Sequence, residues 1–111
     1  MSMQTDLTIP LSALKFESET QASATAEAWN AFQVGVLLQM VIETTARGLL
    51  EEGSLETVSA TFDMSASAMT GSEIQFESRI DRKTRTLIFA SGIAKQNDRH
   101  LLKATVVFRI D

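Results

Sequence analysis

The pattern of hydrophobic positions changes character near residue 53 of the chain. Before that point, residues 34–53 read VGVLLQMVIETTARGLLEEG, and the first half of this segment is apolar almost all the way round a helix. Glycine is a common residue at the end of a helix, and Gly53 supplies one. The segment therefore predicts one long helix, and a helix with so little polar surface must be covered by other parts of the fold.

The second half of the chain alternates between apolar and polar residues, which is typical of strands with one buried face. The alternation predicts strands over residues 57–67, 72–81, 85–96 and 101–110, and a weaker alternation over residues 16–26 predicts one strand before the helix. The result is an α+β fold of order β-α-β-β-β-β, in which a five-stranded antiparallel sheet wraps the helix. Three phenylalanines fall on inward faces and should be buried: Phe62, Phe76 and Phe108.

Length and composition fit one globular domain spanning residues 1–111, with 44% hydrophobic and 22% charged residues. Residues 1–13 contain the only proline and show no period, so we expect a loose N-terminal arm. The opening residues lack the basic and apolar pattern of a secretory leader, and no apolar run is long enough to span a membrane. We therefore expect a cytoplasmic protein without membrane contact.

The residues that usually hold metals and cofactors are scarce. The chain has no cysteine, and its one histidine, His100, falls in a turn predicted over residues 97–100. Residues 1–56 carry eight acids against two bases, and residues 57–111 carry six acids against eight bases, a balance that argues against nucleic-acid binding. We expect no metal and no cofactor.

One acid stands out as a candidate for chemistry. Glu43 is the only acid in the apolar half of the predicted helix, where it could serve a carbonyl substrate as a general base or as a nucleophile. The alternative is a structural role, because Arg47 follows four residues later and Gln39 precedes by four, which places all three in one polar stripe.

The order of elements resembles the hotdog fold of the acyl-CoA thioesterase superfamily, of the 4-hydroxybenzoyl-CoA thioesterase or PaaI-like kind. In that family a segment of the form HGGvxxxxD/E runs from a loop into the central helix. Here Gly35 and Glu43 keep the spacing of the family's glycine and carboxylate, whereas Val34 replaces the histidine and Val36 replaces the second glycine. Asn30 is the nearest candidate for an asparagine or glutamine that often precedes this segment.

The resemblance implies a function. An acyl-CoA or other acyl thioester would bind near Gly35, the N–H of Val36 would stabilise charge on the carbonyl oxygen, and Glu43 would activate water or attack directly. Eight residues of helix span about 12 Å, so the glycine of one chain would act with the carboxylate of another. A dimer or a dimer of dimers is therefore expected. The residues expected to contact substrate are Asn30, Gln39, Met69, Gly71, Arg82, Lys83 and Arg85.

Several alternatives stay open on the sequence alone. The missing histidine and second glycine favour a hotdog domain that binds acyl-CoA, or supports an assembly, without catalysis. A cystatin-like inhibitor has the same order of elements, although its helix should show a solvated face. The basic residues near positions 82–85 most often indicate a solvated turn. The functional alternative is that they bind the phosphates of coenzyme A.

Overall fold

A computed structural model describes residues 7–111, and in it one helix packs against one six-stranded antiparallel sheet. The strand order is β1-β2-β4-β5-β6-β3, which makes β1 and β3 the edges of the sheet. The predicted α+β architecture is confirmed, with six strands in place of five. The elements are a short 3-10 turn over Leu11–Ala13, β1 over Lys15–Phe16, β2 over Gln21–Thr25, α1 over Ala31–Arg47, β3 over Leu55–Met64, β4 over Glu73–Lys83, β5 over Leu87–Gln96 and β6 over Arg99–Ile110.

The extra strand comes from the weakest part of the predicted pattern. The segment predicted as one strand over residues 16–26 is a hairpin, closed by hydrogen bonds from the N–H groups of Glu17 and Ser18 to the carbonyl of Gln21. The polar run at residues 17–20 turns the chain. The small residues on the inward face are buried: Ala22, Ala24 and Ala26.

The helix begins and ends earlier than predicted. A capping box fixes its start, because the side chain of Asn30 accepts a hydrogen bond from the N–H of Gln33 at 2.9 Å and the side chain of Gln33 accepts one from the N–H of Asn30 at 2.9 Å. At the other end the chain leaves the helix at Gly48. Gly53 does not end the helix. It has a φ of 97° and lies in the approach to β3, where an added Cβ would lie 2.7 Å from the carbonyl oxygen of Asp111.

The core lies between α1 and the central strands β4 and β5. Gly92 of β5 lets the helix approach closely, because an added Cβ there would lie 2.9 Å from Ile42 of α1. Phe76 and Phe108 are 1% and 0% exposed, as predicted, whereas Phe62 on β3 is only partly buried. The buried face of the helix comprises Gln33, Val34, Gly35, Leu37, Leu38, Val41, Ile42, Thr45 and Ala46.

The N-terminal segment is anchored from residue 8 onward. Ile9, Ala13 and Leu14 pack against the core, and the side-chain amide of Gln33 donates a hydrogen bond to the carbonyl of Thr8 at 2.8 Å. The part of the predicted arm over residues 1–6 lies outside the described residues. In the part of the chain that is described, no helix is long and apolar enough to cross a membrane.

One turn is shorter than predicted. Asn97 and Asp98 both have positive φ, of 47° and 66°, so they form a two-residue hairpin turn between β5 and β6. The prediction that His100 lies in this turn is wrong, because β6 already begins at Arg99.

Candidate functional site

One stripe of α1 is left uncovered by the sheet. Phe32, Val36, Gln39 and Glu43 recur at intervals of three or four residues, so they lie along one side of the helix. Phe32 is 49% exposed and the other three are half-buried. The predicted polar stripe therefore exists at Gln39 and Glu43. Toward the start of the helix, the same side carries the apolar residues Phe32 and Val36.

The inner side of the edge strand β3 is open beside this helix. Phe62 and Met64 pair with Ala104 and Leu102 of β6, whose side chains are buried, so both point to the same side of the sheet as the helix. Met64 is nevertheless 55% exposed, because α1 lies over β4 and β5 and hardly reaches β3. We call the surface formed by Phe32, Val36, Phe62 and Met64 the open face.

A cleft adjoins the open face at the start of α1. One of its walls is the connection between β3 and β4, residues 65–72, and its floor is formed by Leu101 and Leu102, which are 2% and 3% exposed. Small and apolar side chains dominate its lining, which comprises Ala31, Val34, Met64, Ala66, Ser67, Ala68, Leu101 and Leu102. Such a surface suits an apolar group better than a charged one.

Glu43 keeps one carboxylate oxygen available on the uncovered stripe. Its Oε1 accepts a hydrogen bond from Nη2 of Arg47 at 2.9 Å, and the Arg47 side chain is 59% exposed. Exposed pairs at this spacing contribute less than about 1 kcal/mol, so the pair is a weak structural link. Within residues 7–111, Oε2 of Glu43 has no hydrogen-bond partner.

The prediction that Gly35 and Val36 stand at the entrance of the helix is wrong. Because α1 begins at Ala31, both residues lie in its second turn, where each N–H bonds the carbonyl four residues earlier. Gly35 is buried, and an added Cβ would lie 3.6 Å from the ring of Phe62. A Cβ at this distance would make an ordinary van der Waals contact, so the packing does not require glycine here, and the N–H of Val36 is engaged inside the helix.

The N–H groups that lack an acceptor inside the helix belong to its first turn. The N–H of Gln33 donates to Asn30, which leaves the N–H groups of Ala31 and Phe32, and Ala31 lines the cleft. The capping role also occupies Asn30, which was predicted to contact substrate. Counted from Ala31, the position eight residues further on is Gln39.

The remaining predicted contacts fall at two opposite ends of the sheet. Met69 and Gly71 lie at the same end as the helix start, since the N–H of Gly71 donates to the carbonyl of Ala26 at 2.7 Å. The basic residues Arg82, Lys83 and Arg85 lie at the other end of β4, whose 11 residues span about 35 Å. A single chain therefore does not bring its basic turn to its own cleft.

A second concavity, of about 330 Å³, lies on the outer side of the sheet, away from α1. Its charged residues include Glu77, which pairs with Lys95 at 3.3 Å, and Arg79, which pairs with Asp81 at 2.9 Å. Lys103 and His100 also line this concavity, and a lining that mixes both signs of charge does not single out a ligand. Residues 7–111 contain no group of three metal-ligating side chains.

Sequence comparison gives no match, either to a family model or to a curated protein. Solved structures do match. A phenylacetic acid degradation-related protein from Ralstonia eutropha JMP134 is 17% identical, with a TM-score of 0.74 over 92% of this chain and 91% of that one. A Streptococcus mutans UA159 protein, solved with acetyl CoA bound, is 10% identical, with a TM-score of 0.75 over 82% and 79%. Zebrafish thioesterase superfamily member 2 is 12% identical, with a TM-score of 0.78 over 88% and 80%.

At these identities the likeness establishes the fold. The chain has the hotdog fold found in thioesterase-superfamily proteins, as its order of elements predicted. The cystatin-like alternative is therefore set aside. Activity has to be argued from the residues of this chain.

Proposed function

We propose that this protein is a cytoplasmic thioester hydrolase that binds an acyl-CoA, or another acyl thioester, on the open face of a homodimer. The observation that carries the proposal is Glu43, a half-buried carboxylate with an available oxygen on the uncovered side of the helix. The apolar cleft at the helix start supplies a place for the acyl group. The structural likeness to a protein solved with acetyl CoA supports this ligand class.

The proposed reaction divides its work between two chains. The carbonyl oxygen lies against the first-turn N–H groups of Ala31 and Phe32, which carry partial positive charge and stabilise a developing oxyanion. Glu43 takes a proton from water, the resulting hydroxide bonds to the carbonyl carbon, and the carbon–sulfur bond breaks as the thiolate leaves. Ala31 and Glu43 are about 18 Å apart along one helix, so the carboxylate comes from the partner chain.

A dimer formed by β3 would meet this requirement. Two copies joined edge to edge by a two-fold axis pair their β3 strands in antiparallel fashion. The partner's basic turn then lies at the same end of the combined sheet as this chain's cleft. In that arrangement one CoA contacts both chains. Its acyl group lies in the cleft of one chain, and its phosphates bind Arg82, Lys83 and Arg85 of the other chain.

The protein should be a homodimer at micromolar concentration, and the double substitution Val58→Lys with Met64→Lys should weaken the dimer by at least about a hundredfold. These side chains are 48% and 55% exposed on the open edge strand, so the folded monomer tolerates the lysines, whereas facing copies repel each other. Sedimentation velocity over a concentration series measures the effect. Phe16→Lys, on the opposite edge and 47% exposed, is the matched control and should leave the dimer intact. A monomeric wild-type protein would contradict the shared site.

Purified protein should release CoA from at least one member of a panel of acyl-CoA thioesters, from acetyl to aromatic. Released thiol can be followed with a chromogenic disulfide reagent, and the absence of cysteine from the chain removes any protein background. Calorimetry with the same panel measures binding separately. If an acyl-CoA binds without being hydrolysed by the dimer, the catalytic proposal fails and the binding function remains.

That binding function is the second candidate, and one observation favours it. Measured from the true helix start, the position corresponding to the family's carboxylate is Gln39. A neutral amide hydrogen-bonds a carbonyl group but does not act as a base. A dimer that holds an acyl thioester without cleaving it is the function expected if Gln39, and not Glu43, faces the thioester.

A further inference from the structure

The connection between β3 and β4, residues 65–72, has no regular secondary structure yet is held by a buried amide. Gln96, the last residue of β5, is 2% exposed. Its Oε1 accepts a hydrogen bond from the N–H of Met69 at 2.8 Å, and its Nε2 donates to the carbonyls of Met69 and Ser72 at 2.9 and 3.1 Å. One side chain therefore satisfies both backbone groups of Met69.

The other contacts of the connection hold its two ends. The N–H groups of Ser65 and Ala66 donate to the carbonyl of Leu101 at 2.9 and 3.2 Å, and Nη2 of Arg99 donates to the carbonyl of Ser67 at 2.6 Å. Between Ser67 and Thr70, whose hydroxyl donates to the carbonyl of Glu27 at 3.2 Å, Gln96 is the side chain that holds the backbone at Met69. Met69 directly follows Ala68, which lines the cleft together with Ala66 and Ser67.

Resting on the proposed function, we infer that Gln96 is a positioning residue that keeps the cleft narrow and restricts it to short acyl chains. The cleft has a volume of only about 10 Å³, about the space of one water molecule and far below the range of about 300–1,000 Å³ typical of ligand sites. Its wall consists of small side chains, so its width depends on where the backbone of residues 65–72 lies. Without Gln96 the polar groups of Met69 lose their partners, and the wall moves to find new ones.

Gln96→Met keeps the length of the side chain and removes its hydrogen bonds, and Gln75→Met, on the exposed face of β4, is the matched control. The amide of Met69 should exchange hydrogen at least about tenfold faster in Gln96→Met and at the wild-type rate in Gln75→Met. Non-hydrolysable thioether analogues of acetyl-CoA and octanoyl-CoA give the affinities by calorimetry. The wild type should prefer the acetyl analogue, and Gln96→Met should shift the ratio of the two dissociation constants by at least about tenfold toward octanoyl.

Unchanged exchange at Met69, or faster exchange with an unchanged affinity ratio, would overturn the role of Gln96 while leaving the proposed function standing. If the wild type binds neither analogue, the proposed function itself fails and this inference falls with it. Should Gln96→Met not fold, Gln96→Glu retains an acceptor for the N–H of Met69 and loses the two donated bonds, and the same measurements apply to it. Sedimentation checks that each variant keeps the wild-type oligomeric state.

Discussion

Phe108→Ala should lower the free energy of unfolding by about 3–5 kcal/mol, a large part of the stability of a domain of this size. Phe108 is 0% exposed in β6 and pairs with Ile88 of β5, whose side chain is also fully buried. Removing the ring leaves a cavity in the layer between the sheet and α1, and the neighbouring side chains fill it only in part. Urea unfolding at a fixed protein concentration measures the change, because dimerisation would make stability depend on concentration.

Phe16→Ala is the matched control for this substitution. The same ring on the edge strand β1 is 47% exposed, so its loss should change the free energy of unfolding by less than about 1 kcal/mol. If the two variants unfold at similar urea concentrations, the layer around Phe108 is not the main source of stability.

The sheet was predictable where period-two alternation is strong. In β4, Ile74 and Phe76 point inward between polar neighbours, and the pattern gave both the strand and its buried face. The pattern failed at residues 17–20, where few apolar side chains mark a face and the predicted single strand became β1 and β2. Alternation also cannot reveal that β3 pairs with the last strand, β6, and so becomes an open edge.

The sequence contains a signal for the start of the helix that differs from the apolar pattern. Asn30 followed three residues later by Gln33 is a capping box, and this local signal marks the start of α1 more accurately than the apolar run does. The roles predicted for Gly35 and Val36 rest on the resemblance to the family segment and on this late start, which puts both residues at the helix entrance. Gln96 gave no comparable signal, because its partners are backbone groups 24 and 27 residues away in the chain.

The other large effect is expected at Glu43. Glu43→Gln should reduce the turnover of acyl-CoA by about 10²–10⁴-fold while leaving folding and dimerisation intact, because the amide keeps the shape of the side chain but cannot take a proton from water. Arg47→Ala should reduce turnover far less, since Arg47 is 59% exposed and contacts only one oxygen of the carboxylate. Steady-state kinetics on the best thioester of the panel, with urea unfolding on the same samples, separates turnover from stability.

A structural role for Glu43 gives a different result in the same experiment. Both substitutions would then remove the same exposed ion pair, cost less than about 1 kcal/mol each, and leave turnover per folded dimer unchanged. Gln39→Ala then tests whether the helix stripe still contacts the thioester. If Glu43→Gln keeps full turnover while Gln39→Ala weakens acyl-CoA binding, the thioester faces the position eight residues after Ala31, and Glu43 is not the base. If neither substitution has an effect, the helix stripe is not the site.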